Sequence, residues 1–131
     1  MMEHLPQPDE APRTILVVED EPLVRLVIAE ALRDQSFCVV EAASAEEALM
    51  VLAAGLVVDL VFTDVRMPGR LDGLAFARRL KRERPDLPVL ITSGHLDRLE
   101  GGDAPPFIAK PYILSDAVAR ISAILERAED E

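Results

Sequence analysis

Asp59-Leu60-Val61-Phe62-Thr63-Asp64-Val65-Arg66-Met67-Pro68-Gly69 is an apolar, strand-forming run halted by a carboxylate where the chain turns. Leu60, Val61 and Phe62 fit a strand buried on both faces, and Pro68, Gly69 and Gly73 are turn residues that cannot continue it. A carboxylate at the carboxyl end of a core strand lies on a sheet rim, where open α/β folds bind ligands. Asp64 is therefore the residue around which the rest of the chain is organised.

On the amino-terminal side, Thr14–Val18 is a continuous β-rich run that ends in Glu19-Asp20-Glu21. Pro22 suits the first turn of a helix, and Val24, Val27, Ile28, Ala31 and Leu32 recur at helical spacing up to about Gln35. Phe37–Glu41 is expected as a second strand. Ser44-Ala45-Glu46-Glu47 matches a capping box, Ala45, Ala48, Leu49 and Leu52 line the helix it starts, and Gly55 is the expected stop. The opening stretch supplies a third strand, Asp59–Thr63. Beyond it, Asp72–Arg84 is expected as a helix with Leu74, Ala77 and Leu80 inward, ended by Pro85. Pro88–Thr92 is a fourth strand leading into Ser93-Gly94-His95. Leu96–Asp103, with Gly101-Gly102 and then Pro105-Pro106, leaves room for a helical turn or two. Phe107–Ala109 is a fifth strand stopped by Lys110-Pro111, where a cis bond is expected. The last helix is expected from Tyr112 to Arg127, with Leu114, Val118, Ile121, Ile124 and Leu125 as its stripe. The expected layout is an amino-terminal tail over 1–13, one domain over 14–127 and an acidic tail over 128–131.

Composition bounds the function. At 131 residues the chain has the size of a single domain. Hydrophobic residues make up 50% and charged residues 29%, which is globular rather than disordered material. The apolar runs are too short to span a bilayer, and Met1–Pro12 lacks the basic-then-apolar order of a signal peptide, so a cytoplasmic protein without membrane insertion is expected. Cys38, in Phe37-Cys38-Val39-Val40, is expected to be a small buried hydrophobe. A net charge of -10 argues against direct nucleic-acid binding, and the cluster Arg78, Arg79, Lys81, Arg82 and Arg84 is expected to be a solvated helix face.

Strands alternating with helices demand an α/β fold with a parallel sheet covered on both faces. All carboxyl ends of a parallel sheet share one edge, so Glu19, Asp20, Asp64, Ser93 and Lys110 converge there. The second strand adds nothing obvious. Two unit charges about 4 Å apart repel by about 4 kcal/mol at an effective dielectric of ~20, so three carboxylates need compensating cations. Lys110 supplies one charge, and Mg²⁺ held by oxygen ligands would supply the rest. The acidity of Glu19-Asp20-Glu21 counts against a phosphate cradle at the first turn. With a metal in place, Asp64 is of the type to act as a carboxylate nucleophile that accepts a phosphoryl group, Ser93 and Lys110 being donors of the right kind on the same edge. Any one strand-end carboxylate is more often a solvated loop residue or a helix cap. The combination at four strand ends is what points to function.

Val17-Val18-Glu19-Asp20-Glu21-Pro22, Thr63-Asp64-Val65-Arg66-Met67-Pro68-Gly69, Asp72-Gly73, Thr92-Ser93-Gly94-His95 and Lys110-Pro111-Tyr112 occur in that order. With these motifs the chain resembles a response-regulator receiver domain (CheY-like) of bacterial two-component signalling, over Thr14 to about Arg127. The resemblance implies a flavodoxin-like, doubly wound five-stranded parallel sheet of order 2-1-3-4-5. It implies Asp64 as the phosphoacceptor, charged by a sensor histidine kinase or a histidine phosphotransfer protein. Mg²⁺ would be held by Asp20, Asp64 and the carbonyl of Arg66, with Glu19 acting directly or through water. Ser93, rather than Thr92, falls at the hydroxyl position, and Lys110 would bind a phosphoryl oxygen. Ser93 and Phe107 would form the switch, and Arg66 and His95 stand where the family tunes hydrolysis of the acyl phosphate.

Two departures from the family pattern stand out. The stretch from Ser93 to Lys110 is short, so the fourth helix is expected to be short or missing, and Pro68–Gly73 carries what looks like an extra residue. With no output domain after the last helix, the expectation is a stand-alone regulator or relay that is not itself an enzyme and signals by binding an unknown downstream protein, with a homodimer left open. The alternatives are a non-phosphorylated pseudo-receiver and a haloacid-dehalogenase-type phosphotransferase. The latter normally needs a second Asp two positions beyond the nucleophile, where this chain has Arg66.

Overall fold

The apolar runs pair side by side as parallel strands. The computed structural model describes residues 12–65, 72–93 and 106–130, the side chains of Ser93, Glu129 and Asp130 excepted. β1 (Thr14–Val18), β2 (Cys38–Ala42), β3 (Leu60–Asp64), β4 (Val89–Ser93) and β5 (Phe107–Ala109) form one sheet in the order β2-β1-β3-β4-β5. The helices are α1 (Pro22–Asp34), α2 (Ala45–Ala53), α3 (Gly73–Glu83) and α4 (Leu114–Asp130). The expected doubly wound α/β sheet and its strand order are both present. Residues 94–105, where a short or missing helix was expected, lie outside the described residues.

Alternation along the strands sends side chains to opposite faces and divides the core in two. Leu16, Val18, Val61 and Ile91 pack with Ala45, Ala48 and Leu52 of α2 and with Phe76, Ala77 and Leu80 of α3. Ile15, Val17, Leu60, Phe62 and Leu90 pack with Ile28 and Leu32 of α1 and with Ala117, Ile121 and Leu125 of α4. β3 is buried along all five residues, as a central strand covered on both faces must be.

Local signals place the helix ends. Pro22 opens α1, where its missing N–H costs nothing. α1 closes with Phe37 N–H donating to Leu32 O at 3.2 Å and Ser36 N–H donating to Arg33 O at 2.9 Å, which puts Ser36 at a φ of 71°. Ser44 caps α2 by accepting from Glu47 N at 3.1 Å, and Gly55, at a φ of 92°, ends the turn that follows. Asp72 caps α3 by accepting from Ala75 N at 2.8 Å. The basic face of α3 is solvent-exposed, with Arg79 paired to Glu83 at 3.0 Å.

Five expectations need correction. α4 starts at Leu114 rather than Tyr112 and continues to Asp130, past the expected end at Arg127. β2, β3 and β4 each run one residue later than expected, because ladder pairing extends to Ala42, Asp64 and Ser93. Cys38 is exposed, since β2 is an edge strand and is fully buried only at its far end, Ala42. The α1 stripe is rotated: Ile28, Ala29 and Leu32 are buried, whereas Val24 and Val27 are exposed. α1 is apolar on most sides, so its periodicity lacks the contrast that would fix which face turns inward. In α3, Phe76 is fully buried and Leu74 only partly so.

Candidate functional site

Register alone assembles the carboxyl edge. Val18 pairs with Thr63, so the next residues, Glu19 and Asp64, leave their strands at the same height. Asp64 pairs with Thr92, which pairs with Ile108, so Ser93 lies one step and Lys110 two steps beyond the level of Asp64 along the same edge. Glu19 and Asp64 are buried, at 5% and 9% exposure, a state that carboxylates seldom reach unless they are paired.

Asp64 accepts a hydrogen bond from Lys110 Nζ at 2.9 Å, and the bond between Lys110 and Pro111 is cis as expected. The Glu19, Asp20 and Asp64 carboxylates each offer an oxygen, all within 4.8 Å of one another. Glu19 Oε2 also accepts from Glu21 N at 3.2 Å. Burial pushes the Glu19 carboxyl up from 4.5 to about 7. A hydrogen bond with Asp20 and the charge of Asp64 add to the rise, while the Glu21 amide and Lys110 oppose it. Tyr112 packs edge-on to Phe62, with ring centroids 6.3 Å apart. Its hydroxyl is raised to about 12, first by burial and then by the negative charge of Glu19 and Asp64.

The backbone under Asp64 is held from several sides. Thr63 Oγ1 donates to the Asp64 carbonyl at 3.1 Å, and Val65 N–H donates to Thr92 O at 3.0 Å. Gly73 N–H donates to Val65 O at 2.8 Å, so the start of α3 is tied to the loop after β3. Three clustered carboxylates against one ammonium, all oxygen donors, fit a hard divalent cation such as Mg²⁺.

The structure thus brings together Glu19, Asp20, Asp64 and Lys110. Ser93 lies at the end of β4, while its hydroxyl, Arg66 and His95 lie outside the described residues. Phe107, half-buried in β5, packs against the core face shared with α2 and α3. Sequence reasoning missed the contribution of the second strand. Glu41, a charged residue next to the end of β2, accepts from Arg25 Nε at 3.3 Å, and Arg25 Nη1 donates to the carbonyl of Glu19 at 2.8 Å. The available signal was a charged residue at the close of an apolar run, the same signal that marked Asp64.

The response regulator receiver domain family matches residues 15–122. The chain is 34% identical over 122 residues to the sensor kinase CckA of Brucella abortus, an alignment covering 88% of this chain and 13% of that kinase. Across other curated relatives, which are regulators, it spans 25% to 53% of their length. Among solved structures, the receiver domain of the hybrid histidine kinase CckA is similar, with a TM-score of 0.73 and 34% identity, over 86% of this chain and 98% of that one. The response regulator TrrA of Thermotoga maritima, solved in complex with Mg(2+)-BeF, has a TM-score of 0.74 and 25% identity, over 85% and 97%. By the match to its length and by its fold, the chain belongs to the response regulator receiver domain family.

Proposed function

We propose that Asp64 accepts a phosphoryl group from the phosphohistidine of a sensor histidine kinase or a histidine phosphotransfer protein. An Asp64 carboxylate oxygen attacks phosphorus, the P–N bond breaks, and its electron pair returns to the imidazole, which takes up a proton. The observation that carries this reading is the contact of 2.9 Å between Lys110 Nζ and Asp64 beside the Glu19–Asp20 pair. That arrangement sets a cation next to the nucleophile and a cation-binding cluster on its other flank. Mg²⁺ would be held by Asp20, Asp64 and the Arg66 carbonyl, with Glu19 direct or through water, and supplies positive charge for the phosphoryl oxygens. Lys110 then moves its ammonium from the carboxylate to a phosphoryl oxygen, and Ser93 donates to another.

Asp phosphorylation is characteristic of the family, and relatives named as a sensor kinase and as a response regulator support a histidine-kinase partner. Phe107 and Ser93 would carry the change to a protein-binding surface, with Arg66 and His95 setting the lifetime, in a cytoplasmic signalling module. Among the described residues no helix is long and apolar enough to cross a membrane. The test is phosphorylation with labelled acetyl phosphate in Mg²⁺. Wild type is expected to take acid-stable but base-labile label, and Asp64→Asn to take none. Label retained in Asp64→Asn overturns the assignment.

A further inference from the structure

Both backbone groups of Glu19 are tied to the end of the edge strand. Its N–H donates to the carbonyl of Ala42 at 3.0 Å. Its carbonyl accepts from Arg25 Nη1 at 2.8 Å, and Arg25 is in turn held by Glu41, the residue before Ala42, through Nε to Oε1 at 3.3 Å. Glu41 is itself braced on its other oxygen, Oε2, by Arg33 Nη2 at 3.3 Å. The Arg25 and Glu41 side chains are 19% and 29% exposed, so this pair is largely withdrawn from solvent. Arg25 also sits in the first turn of α1, where its N–H donates to Glu21 O at 2.9 Å. One guanidinium therefore joins the acidic loop, the helix that follows it and the end of β2.

A buried, partly charged loop bearing Glu19 and Asp20 would otherwise relax outward, because its carboxylates repel one another and Asp64. A planar guanidinium with two acceptors fixed in its fork resists that relaxation better than a single flexible ammonium. We propose that Arg25, oriented by Glu41, is a positioning residue for divalent-cation binding: it clamps the Glu19 carbonyl so that the Glu19 and Asp20 carboxylates stay aimed at Asp64. The proposal rests on the Mg²⁺ reading of that cluster. It gives β2, the strand with no ligand of its own, a part in the site.

Charge and position predict opposite signs here. Arg25 is a cation near an acidic cluster, so deleting it for its charge alone would tighten Mg²⁺ binding. If it positions the loop, deleting it weakens binding, by about tenfold on the scale usual for residues that orient metal ligands. The experiment is isothermal titration of the full chain with Mg²⁺, well below the unfolding temperature, for wild type, Arg25→Ala, Arg25→Lys, Glu41→Gln and the surface control Arg79→Ala. Expected are a Kd raised about tenfold in Arg25→Ala, a smaller rise in Glu41→Gln, partial recovery in Arg25→Lys and no change in Arg79→Ala. An unchanged or lowered Kd in Arg25→Ala overturns the proposal. If Arg25→Ala fails to fold, Arg25→Met decides, since it keeps the apolar stem and removes the charged fork: a Kd equal to or below that of wild type overturns the proposal. Absence of Mg²⁺ binding in wild type is a separate outcome, which overturns the metal reading itself and the proposal with it.

Discussion

Gly73 lies against the backbone of Asp64. A β-carbon at Gly73 would overlap the Asp64 carbonyl oxygen and stand 2.7 Å from the Cα of Val65, both of them backbone atoms that cannot swing aside. The first residue of α3 thus has to be glycine for the helix to start where it does. Gly73→Ala is expected to destabilise the domain by about 1–3 kcal/mol, the range of overpacked core sites, and to displace Asp64. Urea denaturation gives the first effect, and loss of Mg²⁺ binding in the surviving folded protein gives the second. A stable Gly73→Ala that binds Mg²⁺ like wild type would contradict this placement.

On the proposed function, Lys110 serves a phosphoryl group more than the fold. Its side chain is 36% exposed, so Lys110→Ala is expected to change stability by no more than about 1 kcal/mol. The same substitution removes the cation beside Asp64 and is expected to tighten Mg²⁺ binding while slowing labelling by acetyl phosphate at least ~10-fold. Titration and labelling on one preparation separate the two effects, which are expected to move in opposite directions.

Glu19 makes stability depend on pH. Its carboxyl is held up at about 7 against an ordinary 4.5, so the folded protein binds a proton that the unfolded chain releases. The stabilisation is fully present below pH 4.5 and is lost as pH rises towards 7. In chelator the urea midpoint is expected to fall across that window, by the equivalent of roughly 1–3 kcal/mol. Mg²⁺ competes with the same proton, so its affinity is expected to rise over the same range. Glu19→Gln should flatten both trends, and a pH profile unaltered by that change would refute the assignment.

Ser36 takes the left-handed position that ends α1, at a φ of 71°. A side chain there costs about 1 kcal/mol that glycine avoids, less glycine's greater freedom when unfolded. Ser36→Gly is expected to raise stability by about 0.5–1 kcal/mol with an unchanged urea m-value. A loss of stability would mean that the Ser36 side chain contributes more than its backbone conformation costs.

Asp64, Lys110 and the Glu19–Asp20 pair were legible in the sequence because each interrupts an apolar run, and a parallel sheet puts such interruptions on one edge. The phase of α1 was not legible: Leu23, Val24, Leu26 and Val27 make its outer face as apolar as its inner one, and only packing of Ile28 and Leu32 against the sheet decides between them. Cys38 was misjudged because an apolar run does not reveal whether its strand is central or at an edge. Phe76 was passed over for Leu74, although it is Phe76 that is fully buried in the core beneath α3. The clamp through Arg25 and Glu41 joins residues on two elements, and local periodicity carries no information about such pairs.

The sheet separates two half-cores that, among the described residues, share no side chain, one beneath α2 and α3 and the other beneath α1 and α4. The two surfaces can consequently diverge at different rates in descent. A lineage can rework the α1 side to suit one interlocutor while the α2–α3 side keeps its composition, provided the rim between them is inherited intact.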